Sequence, residues 1–412
     1  MIAIKRLKQR PFKLKIAVIG TRGIPAKHGG VERHCEELYS RLALLGHDIT
    51  IFTRSKYAKV STGRYKGVTL KPLPTIYTKH LETIIHALNA SFMALFGDYD
   101  IVHYHGLGPS SMSWIPRLKP GTKVVSTCHT LEWRCAKWGR FAKLCLKLGE
   151  RSAVAFSHGM ICVSSHLRRY FKEKYGKRAA CIPNGVSAPK GASKSVPGLD
   201  GGLDLKKRRY FLFVGRLVPE KGVHLLIKAF KKLKGDIALV IAGSSSNTDA
   251  YVEKIKDMAS GDKRVSFPGY VCGKSLSSLY SNALAFILPS DVEGLPISLL
   301  EAMAHGVPAV ASDIDANLEI MGSDNRYGYL FRRGDGEDLK EKLELALNDR
   351  SLRAKGLKAR NFVSKRFSWD EVTRLTEEFY FSLFDESPIE RARPINDRSP
   401  NHQSESSLRH PR

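Results

Sequence analysis

Tyr210-Phe-Leu-Phe-Val-Gly-Arg-Leu-Val-Pro-Glu-Lys-Gly222 joins five apolar residues to a short polar loop, then runs into Leu225, Leu226 and Phe230 at helical spacing. An apolar run closed by a glycine turn and followed by an amphipathic helix is the βα unit of a parallel sheet covered on both faces. The same grammar continues at Ile237 to Ala242, Val265 to Phe267, Ala285 to Leu288 and Pro308 to Ala311. It also fills the first half of the chain, with strands expected at Lys15 to Gly20, Ile49 to Phe52, Ile101 to Tyr104, Lys123 to Cys128, Gly159 to Val163 and Ala180 to Ile182, and a helix from about Val31 to Leu45. At 412 residues the chain also exceeds one core. The expectation is an α/β protein of two Rossmann-like, doubly wound domains facing across a cleft. The first domain takes 1–186 and the second 209–365, joined by a Gly-, Ser-, Pro- and Lys-rich linker at 187–208. A helix at 366–384 is expected to pack back on the first domain, before a disordered tail at 385–412.

Charge is distributed unevenly over that plan. Of the formal net charge of +27, residues 1–200 contribute +23, with 34 Lys and Arg against 11 Asp and Glu. The first half therefore attracts anions, and Lys5, Arg6, Lys8, Arg10, Lys13 and Lys15 concentrate that charge at its start. An anionic membrane surface or a lipid-diphosphate acceptor fits this property. Nucleic acid does not, because no recognised binding module or basic stripe interleaved with aromatics is present. The basic opening lacks a secretory apolar stretch, and the most apolar later window, Ile84 to Gly97, is shorter than the ~20 residues of a membrane span. Seven cysteines without a C-x-x-C pair read as reduced thiols. A cytoplasmic protein is expected, with any contact at the inner face of the plasma membrane peripheral.

Two loops carry the chemistry. In Gly215 to Gly222, Arg216 and Lys221 stand beside a helix N-terminus, whose free N–H groups and positive dipole suit a diphosphate. Positive charge there stabilises a leaving diphosphate more in the transition state than in the ground state. In Ser290-Asp-Val-Glu-Gly-Leu-Pro-Ile-Ser-Leu-Leu-Glu301, one carboxylate precedes a helix and the other lies just over one turn inside it. Glu293 and Glu301 can thus reach different hydroxyls of one ligand. Glu301 is flanked by Leu299, Leu300, Ala302 and Met303, and a buried carboxylate needs a partner. Gly29 and Gly30, ahead of the first helix, allow backbone amides to approach a phosphate.

These motifs resemble the retaining glycosyltransferases of family 4, of the GT-B fold class. The resemblance rests on E-x7-E at Glu293 to Glu301, G-R-x3-E-K-G at Gly215 to Gly222, G-x-P-x-V-x-S at Gly306 to Ser312 and P-N-G-V at Pro183 to Val186. It covers nearly all of residues 15 to 380. The loop from Gly20 to Glu32 further resembles bacterial polysaccharide, rhamnosyl-type glycosyltransferases with a T-R-G-I-P signature, with His28 where that group often has Tyr. The resemblance implies a hexose or deoxyhexose moved from a nucleotide diphosphate sugar to a glycan or lipid-linked acceptor, without a metal cofactor. It assigns donor-sugar hydroxyls to Glu293, the ribose to Glu301 and the diphosphate to Arg216 and Lys221. Gly294 and Leu295 join the donor site, and His129 takes the place of a donor-sugar histidine. His103 and His105, at the end of another strand, are weaker candidates. In that family the acceptor attacks the face from which the diphosphate leaves, so no protein nucleophile is implied.

Two D-x-D patterns, Asp98 to Asp100 and Asp313 to Asp315, are not taken as metal sites, because the first precedes a strand and the second sits in the second domain. A sugar-nucleotide epimerase on the same fold is the alternative activity, to be recognised by release of free epimerised sugar without an acceptor.

Overall fold

The computed structural model describes residues 12–27, 29–57, 63–78, 81–136, 138–189, 209–245 and 248–385. The bases Lys5 to Arg10, His28, positions 190–208 of the expected linker and positions 386–412 of the expected tail lie outside them.

The first sheet comprises β1 (Lys15–Ile19), β2 (Asp48–Arg54), β3 (Arg64–Tyr65), β4 (Val68–Leu73), β5 (Ile101–His105), β6 (Lys123–Cys128), β7 (Gly159–Cys162) and β8 (Ala180–Cys181). Its order is β3-β4-β2-β1-β5-β6-β7-β8, parallel except where β3 pairs with β4. Its helices are α1 (Gly30–Leu44), α2 (Leu81–Leu95), α3 (Arg140–Phe156) and α4 (Ser165–Tyr175). The second sheet holds β9 (Tyr210–Val214), β10 (Ala238–Ala242), β11 (Val265–Gly269), β12 (Ala285–Leu288), β13 (Ala309–Ser312) and β14 (Gly328–Phe331), in the order β11-β10-β9-β12-β13-β14. Around it run α5 (Val223–Lys231), α6 (Asp249–Ala259), α7 (Gly273–Asn282), α8 (Ile297–Ala304), α9 (Asp315–Met321) and α10 (Gly336–Asn348), followed by α11 (Leu352–Arg366) and α12 (Trp369–Ser382).

β9 shows why these runs become central strands. Phe211 and Phe213 enter one core with Leu226 and Phe230 of α5, while Tyr210 and Leu212 enter another with Phe286 and Leu299. Alternate side chains point to opposite faces, so a strand buried on both must be apolar throughout. The sequence pattern missed the short hairpin β3–β4, whose strands mix apolar with polar and charged residues, and the four-residue edge strand β14. Helix α1 begins one residue earlier than expected, with Gly29 as its cap at φ 92°.

In both sheets the strand order reverses beside the first strand, between β1 and β5 and between β9 and β12. Ligands of doubly wound sheets bind outside the carboxyl ends of the strands at such points. The loops leaving β1, β5, β9 and β12 therefore face the cleft. Several contacts hold its walls in register. Val186 N donates to Phe367 O at 2.6 Å, and Arg41 and His47 reach Asp370 and Glu377 of α12. Gly185 packs so closely under Trp369 that a Cβ would collide with the indole. On the far side, the amide and hydroxyl of Ser165 on α4 donate to Glu319 of α9 at 2.8–2.9 Å.

Candidate functional site

The first wall is built from imidazoles. His105 ends β5, His129 follows β6, and the two are hydrogen-bonded, Nδ1 to Nε2, at 2.9 Å. His105 Nε2 meets the Tyr39 hydroxyl at 2.6 Å, and that hydroxyl also lies 2.9 Å from His103 Nδ1. Tyr380 of α12 approaches the same His103 nitrogen at 2.6 Å, while His103 Nε2 meets Thr127 at 2.7 Å. A continuous hydrogen-bonded chain thus runs from α12 through the first core to His129. Burial drives His103, His105 and His129 well below the ordinary histidine range and holds His34 on α1 at about 4. The wall is neutral at physiological pH. Among the described residues, His34, His105 and His129 are also the set whose ligand atoms converge, within 4.8 Å, and could hold a metal ion. In the structure those nitrogens are engaged differently: His105 and His129 bind each other, and His34 Nδ1 donates to Asn184 Oδ1 at 2.9 Å.

The second wall is charged. Its first loop folds as a tight turn, Pro219–Lys221, ending at Gly222 with φ 67° as the cap of α5. A Cβ on Gly222 would strike the carbonyl of Pro289, so this turn packs directly beneath the loop after β12. Asp291 N donates to Glu220 O at 2.9 Å and fastens the two loops together. Lys221 Nζ consequently forms an ion pair with Glu293, their side chains only 13% and 10% exposed. Arg216 stands exposed at the start of the turn. Glu220 is buried, and both of its carboxylate oxygens lack a partner among the described residues. Nearby Asp291 is raised above the ordinary carboxyl range, chiefly by burial and further by Glu220.

Glu301 finds the partners that its apolar neighbours demanded. The Tyr280 hydroxyl donates to it at 3.3 Å, and Arg33 of α1 faces it across the cleft at 3.9 Å. Gly29 and Gly30 are exposed at the N-terminus of α1, with the Glu32 carboxylate against Gly29 and Ile297 of α8 3.7 Å from where a Cβ of Gly30 would stand. An anion at this glycine pair would therefore meet a carboxylate already compensating the helix dipole.

The walls touch at Gly294, where a Cβ would collide with the carbonyl of His129. Beside it, Asn184 Nδ2 donates to Leu295 O at 2.7 Å while its oxygen receives His34. The structure thus gathers His129, Gly294, Leu295, Glu293 and Lys221, and places Glu301 one helical turn beyond. It leaves Arg216 at the rim and His103 beneath the wall, three hydrogen bonds from His129 by way of His105 and Tyr39. Sequence reasoning missed His34, Arg33, Tyr280, Tyr39 and Tyr380. Only Asn184 carried a signal, as part of P-N-G-V. Neither D-x-D reaches this junction: Asp98 and Asp100 bind Lys15 at the opposite end of β5, and Asp313 accepts from Arg333 N at 2.8 Å.

A family model described as "Glycosyl transferases group 1" matches residues 202–360, and one described as "Glycosyltransferase Family 4" matches residues 28–188. The chain is 28% identical over 356 residues to a phosphatidyl-myo-inositol mannosyltransferase of Mycobacterium leprae, covering 84% of this chain and 90% of the relative. It is 26% identical over 403 residues to an alpha-maltose-1-phosphate synthase of Mycolicibacterium smegmatis, covering 89% and 99%. Among solved structures, a sucrose-phosphate synthase from Thermosynechococcus elongatus superposes with a TM-score of 0.76 at 22% identity, over 91% of this chain and 100% of that one. The Anabaena protein HepE in complex with UDP-glucose gives 0.74 at 17% identity, over 90% and 100%. The fold is GT-B.

Proposed function

Since the chain is a hexosyltransferase of the family 4 type, we propose that it works with retention, moving a hexose or deoxyhexose from a nucleotide diphosphate sugar to a glycan or lipid-linked acceptor. The setting is cell-surface polysaccharide assembly, at the cytoplasmic face of the membrane. The observation that carries this reading is the Lys221–Glu293 pair, seated where the charged wall meets His129 and Gly294. Donor-sugar hydroxyls lie between Glu293 and neutral His129, and the diphosphate lies over the N-terminus of α5. HepE, solved with UDP-glucose, supports a nucleotide-sugar donor by analogy of fold.

The charges then act in order. Glu293 holds the ammonium of Lys221 in place before the donor arrives, so little reorganisation is needed when the leaving diphosphate gains charge. Arg216, at the exposed rim, closes over the same phosphates. A neutral His129 can exchange hydrogen bonds with a sugar hydroxyl without repelling an oxocarbenium-like centre, which a protonated imidazole would do. Glu301 takes the ribose hydroxyls in place of Arg33. No divalent ion is required, because two side chains and a helix terminus supply its charge.

Thermal stabilisation across a panel of nucleoside diphosphate sugars identifies the donor, since a ligand of the native state raises the midpoint by mass action. Transfer from that donor, with the product's anomeric configuration read by NMR, tests the reaction. Retained configuration is expected. An inverted product, or free epimerised sugar without acceptor, overturns the reading.

A further inference from the structure

The first domain carries an unusual amount of apolar surface on its outside. Phe92 of α2 and Phe96, the residue after its end, are exposed, Phe96 by 83%. On α3, Phe141 is 78% exposed and is followed by exposed Leu144 and Leu148. Residues 141, 144 and 148 are spaced to form a single stripe along a helix. Both helices pack against the turn Pro109–Met112, and Gly108 sits between Thr83 of α2 and Leu146 of α3. Leu118, 64% exposed, lies in the segment that follows that turn. The α3 stripe, Phe92, Phe96 and Leu118 thus belong to one side of the domain. Patches of this kind on a soluble surface mark an interaction site.

Charge identifies the occupant. Arg140, Lys143, Lys147 and Arg151 accompany the apolar stripe of α3. Its single acid, Glu150, is fully buried, held by Trp133, Tyr170, Tyr175 and Lys174 at 2.5–2.8 Å. The one acid of α2, Glu82, is paired with Arg54 at 2.8 Å. The face is therefore apolar and positive, with its acids turned inward. A second copy docked face to face would oppose these cations with their like, whereas an anionic bilayer offers both negative head groups and an apolar interior. Among the described residues no helix is long and apolar enough to cross a membrane, so such contact lies in the interface plane.

We propose that the α2–α3 face rests on anionic lipid, its exposed aromatic and leucine side chains below the head groups and the bases of α3 among the phosphates. The membrane contact expected from the N-terminal bases is thereby given a folded location, while Lys15 is engaged by Asp98 and Asp100. Because α3 is reached directly from the loop that begins at His129, docking would hold the cleft at head-group level, within reach of a lipid-linked acceptor. That last consequence rests on the proposed transferase reading, whereas the docking surface does not.

Co-sedimentation of the full chain with vesicles of phosphatidylcholine, alone or mixed with phosphatidylglycerol, provides the test. The wild type should bind the mixed vesicles only, and less as salt rises. The double variant Leu144→Glu/Leu148→Glu should lose on the order of tenfold in binding, while its melting temperature and its transfer to a water-soluble acceptor stay unchanged. Lys147→Glu/Arg151→Glu should lose somewhat more through charge, at about 1 kcal/mol, or roughly fivefold, per base and so about 25-fold for the pair. Three results would overturn the proposal. One is unchanged vesicle binding by the α3 variants, with loss only when Lys5, Arg6, Lys8 and Arg10 are replaced by serine. Another is equal binding to neutral vesicles. The third is a solution dimer that the leucine variants dissociate. Failure of every nucleotide sugar to support transfer would sink the functional reading and leave the vesicle result standing.

Discussion

The two walls of the cleft share one topology and have opposite chemistry. Both are doubly wound sheets whose loops open beside the first strand. Yet the first presents a neutral, hydrogen-bonded cluster of His34, His103, His105 and His129, and the second presents Arg216, Lys221, Glu293 and Glu301. The contrast runs against bulk charge, since residues 1–200 carry +23 of the total +27. The excess bases of the first half lie elsewhere, several of them on α3. Net charge therefore describes the outside of a domain, and local burial describes the chemistry its cleft presents. A sugar, rich in hydroxyls and without charge, suits the imidazole wall, and a diphosphate suits the other.

The largest effect should come from stripping the charged wall. Lys221→Ala removes the cation proposed to face the leaving diphosphate, with an expected loss of about a hundred- to a thousandfold in turnover. Steady-state kinetics with the identified donor measure it, and a loss confined to KM would show that the lysine binds ground and transition states alike.

Next in size is the separation of the two glutamates. Glu293→Gln should lower turnover by about a hundredfold, because the sugar and Lys221 both lose their anchor and a ~1 Å displacement has that cost. Nucleoside diphosphate should still bind nearly as before. Glu301→Gln should instead weaken nucleotide and intact donor alike, by about 1.5–3 kcal/mol at most. Calorimetric titration distinguishes them, and equal losses in both variants would mean that the pair has been assigned wrongly.

The imidazole wall should show itself in acid. His34 titrates near 6.5 when unfolded and at about 4 when folded, so between those values the unfolded chain binds more protons. Stability attributable to the neutral ring is full above pH 6.5 and falls as pH drops towards 4, by about 2 kcal/mol at pH 5 for this one residue. His103, His105 and His129, depressed in the same direction, add to the slope. Denaturant titrations at pH 7 and pH 5 should show it, and His34→Gln should flatten it. A slope untouched by that change would mean that the ring is not held neutral.

The smallest expected effect is none at all. Chelation should leave transfer intact if Lys221, Arg216 and the α5 terminus carry the charge of the second wall. Abolition by EDTA and rescue by magnesium or manganese would reopen the question of metal, with His34, His105 and His129 now the donors to consider before either D-x-D.

Much of this plan could be read without coordinates. The central strands were legible because a strand buried on both faces has no polar residue to spare, as Tyr210 to Phe213 shows. β3 and β4 were not, since polar and charged residues interrupt them, and β14 was not, since an apolar run of four residues does not distinguish a strand from a helix. Glu293 and Lys221 were proposed from motifs on loops that follow strands, and His129 from the family resemblance at the loop after β6. Arg33 and His34 could not be found that way, because on a helix like α1 a charged or aromatic polar residue looks the same whether it faces solvent or a second domain. Tyr39 and Tyr380 read as ordinary core tyrosines, 341 positions apart and within 3.5 Å of each other in space.

The order of apolar runs, glycine turns and helices by itself determined two parallel sheets, their facing loops and the positive and negative residues those loops carry. This follows because secondary structure and crossover handedness are set by local pattern and chirality. Which residues meet across the cleft was decided only in three dimensions. The collision-free fit of Gly294 on His129, the grip of Asn184 on both walls and the return of α12 to His103 depend on separations of more than a hundred residues. No local periodicity encodes them. The neutrality of the imidazoles has the same origin, since a histidine's charge at pH 7 depends on the water it has lost, and only packing removes the water.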